Sequence, residues 1–238
     1  MDTQPLGAAW SPDGKQIAFI DVDGRWGVAG VCVVDVASGK VTRLQTSLGQ
    51  PGSPSWSADG KYVVISLSYK YSNSFREGTN QVYVIPVDGT TKPFWQIPQE
   101  NMSLDTRSGS GPAWSPDGTR VGFRSLRSGF GNWEIYTANS DGSGLVEKLT
   151  NAIGIDESPV WSSDGSKIVF VSERDGTKDI WLMDANGSNP TQLTNASGVD
   201  DSPVWSPDGT KIAFVSERNG NKDIFVMNAD GSNEIGLS

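Results

Sequence analysis

The 238 residues carry 19 Lys and Arg against 28 Asp and Glu, a net charge of −9, with no histidine and one cysteine. That balance argues against a nucleic-acid-binding surface, since affinity for phosphate rests on Lys and Arg. Without histidine, Ser-His-Asp and Cys-His catalysis and His-ligated metal sites are excluded too.

The first element in chain order is Trp10-Ser-Pro-Asp-Gly14. It reads as a short strand running into a turn, with Pro presetting φ and Gly free to take φ > 0. Near-copies follow at Trp56, Trp114, Trp161 and Trp205, spaced by 46, 58, 47 and 44 residues. Self-similarity at such a period marks a repeat architecture. Unit one is expected over residues 5–47, with turns at Asp13-Gly14 and Ser38-Gly39. Its loop 21–30 holds Trp26. The lone Cys32, inside Val31-Cys-Val-Val34, reads as a small buried apolar side chain. Unit two, residues 51–98, keeps Asp59-Gly60 and Asp88-Gly89 but expands its middle loop, which carries Tyr69, Lys70, Tyr71, Phe75 and Arg76. A long connection, residues 98–111, brings Asp105 and Arg107. Unit three, residues 109–150, has Phe130 and Trp133 in its middle loop.

Units four and five, residues 156–194 and 200–238, show the pattern most clearly. After Trp205-Ser-Pro-Asp-Gly209 comes Lys211-Ile-Ala-Phe-Val215, apolar on both faces as a strand buried on both sides requires. A hairpin loop through Arg218 leads to Ile224-Phe-Val-Met227, and the turn at Asp230-Gly231 leads to a closing strand at residues 234–237. Each unit is four antiparallel strands with no helical period.

Four-stranded units that are apolar on both faces stack face to face, so the fold class is an all-β β-propeller with one blade per unit, five in all. A piece of a six- or seven-bladed propeller is the alternative. Closure of blade one on blade five predicts a compact monomer. The recurring Trp reads as a wedge between blades. Arg174 with Asp179, and Arg218 with Asp223, flank hairpin loops and are expected to bridge across them. Asp156 and Asp200 open the first strands of blades four and five. They either ring the mouth of a central channel, where a cation or a partner's basic side chain would sit, or cap their own turns. Asp184-Ala-Asn186-Gly187 looks like the start of a calcium loop but lacks the later ligands, and reads as a turn.

The motif set resembles the TolB-type propeller repeat: Trp-Ser-Pro-Asp-Gly, then Ile-Ala-Phe-x-Ser, an Arg-x-Gly loop, and Asp-Ile-Tyr-x-Met. The resemblance runs through the whole chain, is tightest in blades four and five, and weakens in the loops of blades one and two. It implies a periplasmic or extracellular protein that binds a partner, an envelope lipoprotein in TolB-like proteins. The first residues, Met1-Asp2-Thr3-Gln4, have no signal-peptide core, so the expectation is a cytosolic chain or one whose export signal has been removed. No apolar run approaches membrane-spanning length, and no membrane insertion is expected.

Strand order puts the Asp-Gly turns on one rim and the hairpin loops and inter-blade connections on the other. The first rim hardly varies. The second carries Trp26, Tyr69, Tyr71, Phe75, Arg76, Asp105, Arg107, Phe130 and Trp133 on loops of unlike length, the residue types that anchor interfaces. A non-catalytic module binding a protein or peptide is therefore expected, with no cofactor. The alternative is a carbohydrate-binding or polysaccharide-cleaving propeller using Trp26, Tyr69, Tyr71 and Trp133 as sugar platforms and Asp105 for chemistry.

Overall fold

In the five Trp-Ser-x-Asp-Gly turns, the Ser Oγ donates to the Asp carboxylate two residues on, at 2.5–2.7 Å. The same Asp oxygen accepts the backbone N–H two residues beyond it at 3.0–3.1 Å. The Ser Oγ also accepts the N–H of the residue that opens the second strand, at 2.9–3.0 Å. The glycine sits at φ 68–72°, in the left-handed region where a Cβ is penalised. This local network turns the chain back on itself in every repeat before any tertiary contact is made.

The computed structural model describes residues 7–23, 28–47, 50–68, 80–88, 95–96, 112–125 and 132–237. Every regular element among them is a β-strand. Five antiparallel sheets follow one another along the chain, each in simple up-and-down order, and the protein is a five-bladed β-propeller. In blade two the first strand is interrupted, so that Gln50–Pro51 and Ser55–Trp56 both pair with Tyr62–Ser68. The chain forms two compact units, Met1–Val121 with Ala138–Val146, and Gly122–Thr137 with Glu147–Ser238.

In the first unit, the outward face of blade one (Ala18, Ile20, Val31, Val33) meets Trp56, Val63, Ile65, Tyr83 and Ile85 of blade two. The Trp56 indole N–H donates to the Ala9 carbonyl at 2.9 Å, and that of Trp114 to the Ser55 carbonyl at 3.2 Å. Cys32 is buried. In the second unit, Val169, Val171 and Ile180 of blade four meet Ile212, Phe214, Phe225 and Met227 of blade five, with Val160, Leu182, Leu193 and Trp205 packed around them. The Trp205 indole donates to the Val160 carbonyl at 3.2 Å. These tryptophans are wedges: each reaches from its own first strand to the first strand of the blade before it.

Blades four and five have matching registers, Ile168↔Met183 and Ser172↔Asp179 in one, Ile212↔Met227 and Ser216↔Asp223 in the other. Their first strands share a bulge, between Glu157 and Val160 and between Asp201 and Val204. At its centre Ser158 and Ser202 take φ of 55° and 56°, an unusual conformation for a non-glycine residue. Asp184 belongs to an ordinary turn: Lys167, Ser188 and Asn189 all donate to its carboxylate.

Candidate functional site

The strand registers fix which residues meet at the loop end of blades four and five. Asp156 pairs with Ser172, and Ser172 with Asp179, so all three stand at one level beside the hairpin loop that follows Ser172. Asp200, Ser216 and Asp223 stand at the same level in blade five. Two backbone hydrogen bonds tie successive blades together here, Asp156 N–H to the Trp133 carbonyl and Asp200 N–H to the Lys178 carbonyl, both 2.8 Å.

Asp156 and Asp200 are buried, and each is held by an arginine of its own blade. Arg174 Nη2 reaches the two Asp156 oxygens at 3.2 and 3.3 Å, and Arg218 Nη2 reaches those of Asp200 at 3.2 and 3.4 Å. Each guanidinium is oriented by an Nε–H bond to a serine, Ser172 or Ser216, at 2.8 Å. Each also lies over an aromatic ring at 4.2 Å from the centroid, Trp181 for Arg174 and Phe225 for Arg218. Burial makes a lone carboxylate costly, and a stacked, fixed guanidinium is well suited to offset that cost. The expected bridges from Arg174 to Asp179 and from Arg218 to Asp223 are therefore corrected. The arginines turn toward the first strand, where Asp156 and Asp200 sit buried, and Arg218 also pairs with Glu234. Asp156 and Asp200 each have a guanidinium of their own blade beside them.

A second ion cluster spans blades three to five. Buried Glu157 pairs with Arg124 and, at 2.5 Å, with Lys178, whose Nζ also lies 3.7 Å from Asp201 and 4.0 Å from Glu173. Burial pushes the Lys178 ammonium down, but Glu157, Asp201 and Glu173 outweigh it and hold its pKa above the ordinary value. Two carboxyls move the other way. Burial raises Glu134 despite hydrogen bonds from Thr150 and Lys148, and nearby Asp156 adds to the rise. Burial likewise raises Asp179, against the bond from Thr177 and with added repulsion from Asp200; its Oδ1 is buried without a hydrogen-bond partner.

Among the residues singled out from sequence, Trp133 is half-buried, with the Arg124 guanidinium 4.9 Å above its ring. Trp26, Tyr69, Tyr71, Phe75, Arg76, Asp105, Arg107 and Phe130 lie outside the described residues. Sequence reasoning missed the pairing of Arg124 and Lys178 with Glu157. It also missed a signal for the Arg–Asp pairs: in both blades the arginine follows the acid by 18 residues.

The family of the TolB beta propeller domain matches residues 97–189 and 173–238. The Tol-Pal system protein TolB of Francisella tularensis subsp. mediasiatica is 31% identical over 182 residues, covering 60% of this chain and 40% of that protein. A putative TolB structure from Agrobacterium tumefaciens superimposes with a TM-score of 0.76 at 26% identity, over 99% of this chain and 80% of that one. TolB from Acinetobacter baumannii superimposes with a TM-score of 0.78 at 24% identity, a likeness of fold. This chain spans about half the length of that protein, the match covering 98% of one and 54% of the other.

Proposed function

The chain belongs to the TolB β-propeller domain family, and on that premise we propose that it is a non-catalytic binding propeller that grips a protein or peptide partner with the loops opposite its Asp-Gly turns. The observation that carries this reading is the chemistry of the turns themselves. In all five repeats the Ser-x-Asp-Gly carboxylate is consumed by its own serine and backbone, so that rim presents nearly the same closed surface five times. Variety of side chain is confined to the other loops, through Trp26, Tyr69, Tyr71, Phe75, Arg76, Asp105, Arg107, Phe130 and Trp133. An asymmetric set of aromatic and Arg anchors on a rigid frame suits one protein surface better than a repeated small ligand. In blades four and five the buried acids Asp156, Asp200 and Glu157 are committed to Arg or Lys, which is frame chemistry rather than proton-transfer chemistry. The Tol-Pal name of the relatives points to a peptidoglycan-associated lipoprotein as the partner and to the periplasm as the compartment.

The test is a titration against the soluble domain of such a lipoprotein. Replacing Tyr71, Arg76 and Arg107 together by Ala should weaken binding at least about tenfold, or roughly 1.4 kcal/mol, with folding intact. Matched changes at Lys40, Thr90 and Ser188 on the Asp-Gly rim should leave it unchanged. Loss of affinity in the second set and not the first would move the binding face to the other rim. Binding to a glycan array with no affinity for protein would favour the carbohydrate reading instead.

A further inference from the structure

The chain makes the same knuckle where it enters blade four and where it enters blade five. In the first, the Glu173 N–H donates to the Ile155 carbonyl at 2.8 Å; in the second, the Glu217 N–H donates to the Val199 carbonyl at 2.8 Å. Gly154 and Gly198 take φ of 105° and 114°, and a Cβ on either would come within 2.9 Å of the backbone of its blade's hairpin. That close approach pins each knuckle in place. The residue before the glycine is Ile153 in one and Ser197 in the other. Both are exposed, Ile153 to 84%.

The segment beside each knuckle differs in the same sense. The Asp156 N–H donates to the Trp133 carbonyl and the Asp200 N–H to the Lys178 carbonyl, so Trp133 and Lys178 occupy equivalent positions. Lys178 lies in the ion cluster with Glu157 and Asp201. Trp133 is half-buried, with the Arg124 guanidinium over its ring. The Asn132 side-chain amide donates to the Ala152 carbonyl at 3.1 Å and ties the Trp133 segment to the Ile153 knuckle. One exposed apolar side chain is ordinary. Two adjoining positions that are apolar at one junction and polar at the next, on the same backbone, are not explained by the fold they share.

We infer that Trp133 and Ile153 anchor a bulky apolar side chain, Leu or Phe, that stands next to a Lys or Arg in a segment of the protein partner. The inference rests on the loop-face reading above and says what that face takes at the junction of blades three and four. The pinned knuckle presents Ile153 in one conformation, so little order remains to be gained on binding. Charge supplies the basic neighbour. The hairpin against which Gly154 packs carries Glu173, Arg174, Asp175 and Lys178. Arg174 is committed to Asp156 and Lys178 to Glu157, while Asp175 is exposed. Acids outnumber bases beside the anchor, and a Lys or Arg of the partner complements them.

A synthetic array of short peptides, in which Leu, Phe, Ser or Asp stands beside Lys, Glu or Ala, tests this with the whole chain. Wild type should bind best the peptides that join Leu or Phe to Lys. Ile153→Ser, which gives this junction the residue of the next, should weaken them at least about tenfold. Its melting temperature should stay at the wild-type value, because the side chain is exposed. Asp175→Lys should weaken the Lys-bearing peptides about threefold and leave those with Ala unchanged. A wild-type chain with no such preference overturns the inference, as does Ile153→Ser binding these peptides as tightly as wild type. Asp175→Lys that keeps the preference for Lys overturns its charged half. The lipoprotein titration separates this inference from the reading beneath it. Peptide binding that depends on Ile153, with no affinity for the lipoprotein domain, would keep the anchor and replace the partner. Lipoprotein binding lost in the Tyr71, Arg76 and Arg107 variant, with no peptide preference on the array, would keep the loop face and remove the anchor.

Discussion

The guanidinium of Arg174 lies 4.2 Å from the centre of the Trp181 ring, and its Nη2 reaches Asp156 on the neighbouring strand at 3.2 Å. The ring sets the plane of the guanidinium, and Ser172 sets its direction. The buried carboxylate therefore meets a cation that has little freedom left to lose.

Removing that cation should be costly. Arg174→Ala leaves Asp156 buried without its partner, and urea unfolding should show a loss of about 3–5 kcal/mol. Replacing both residues by apolar ones, Asp156→Leu with Arg174→Met, should recover most of it. Equal losses in the single and double variants would show that the pair is not what stabilises this corner.

The tryptophan wedges should not be equivalent. Trp56 and Trp161 are buried, and truncating either to Ala should cost roughly 3–5 kcal/mol. Trp10→Ala should cost no more than about 1 kcal/mol, because its side chain is 59% exposed. A uniform effect at all three positions, read from denaturant midpoints, would contradict this ordering.

Acid stability should be governed by the turns. Hydrogen bonds from Ser162 and the Ser166 backbone hold Asp164 down from 3.8 to about 2, and Ser206 and Thr210 do the same for Asp208. A folded-state pKa below the unfolded one means that these carboxylates contribute fully above pH 3.8 and lose that contribution as pH falls toward 2. Glu134 and Asp179 act in the opposite sense: burial raises both, so protonating them on the way down from neutral pH favours the folded state. The melting temperature should therefore change little or rise slightly on first acidification, then fall steeply below pH 4. Asp164→Asn with Asp208→Asn should flatten the steep part, and Asp179→Asn the earlier one. An acid limb unchanged by the first pair would remove the turns as its cause.

The repeat made the blades legible because one local network, Ser11 with Asp13 and its four copies, writes the same turn into the chain each time. The partner of Arg174 was not legible in that way. Asp179 lies nearer in sequence, across one hairpin, but the register Asp156↔Ser172 brings a more distant acid alongside, and burial there favours the pairing. The variable loops are the converse case: their composition stands out in sequence, while Trp133 is the one member of that set within the described residues.

The matched registers of blades four and five have a consequence for how the chain reaches its fold. Hydrogen bonding alone cannot distinguish the hairpin around Gly176 from the one around Gly220, because both offer the same ladder and the same arginine to a first strand. Correct assembly therefore depends on tether length: each first strand is joined by a short turn to its own hairpin, and short closures cost the least entropy. A neighbouring molecule in a crowded solution offers the same hairpin without the same tether. The duplication that gives these two blades their regularity also exposes them to strand exchange between chains, the error to which tandem repeats are most prone.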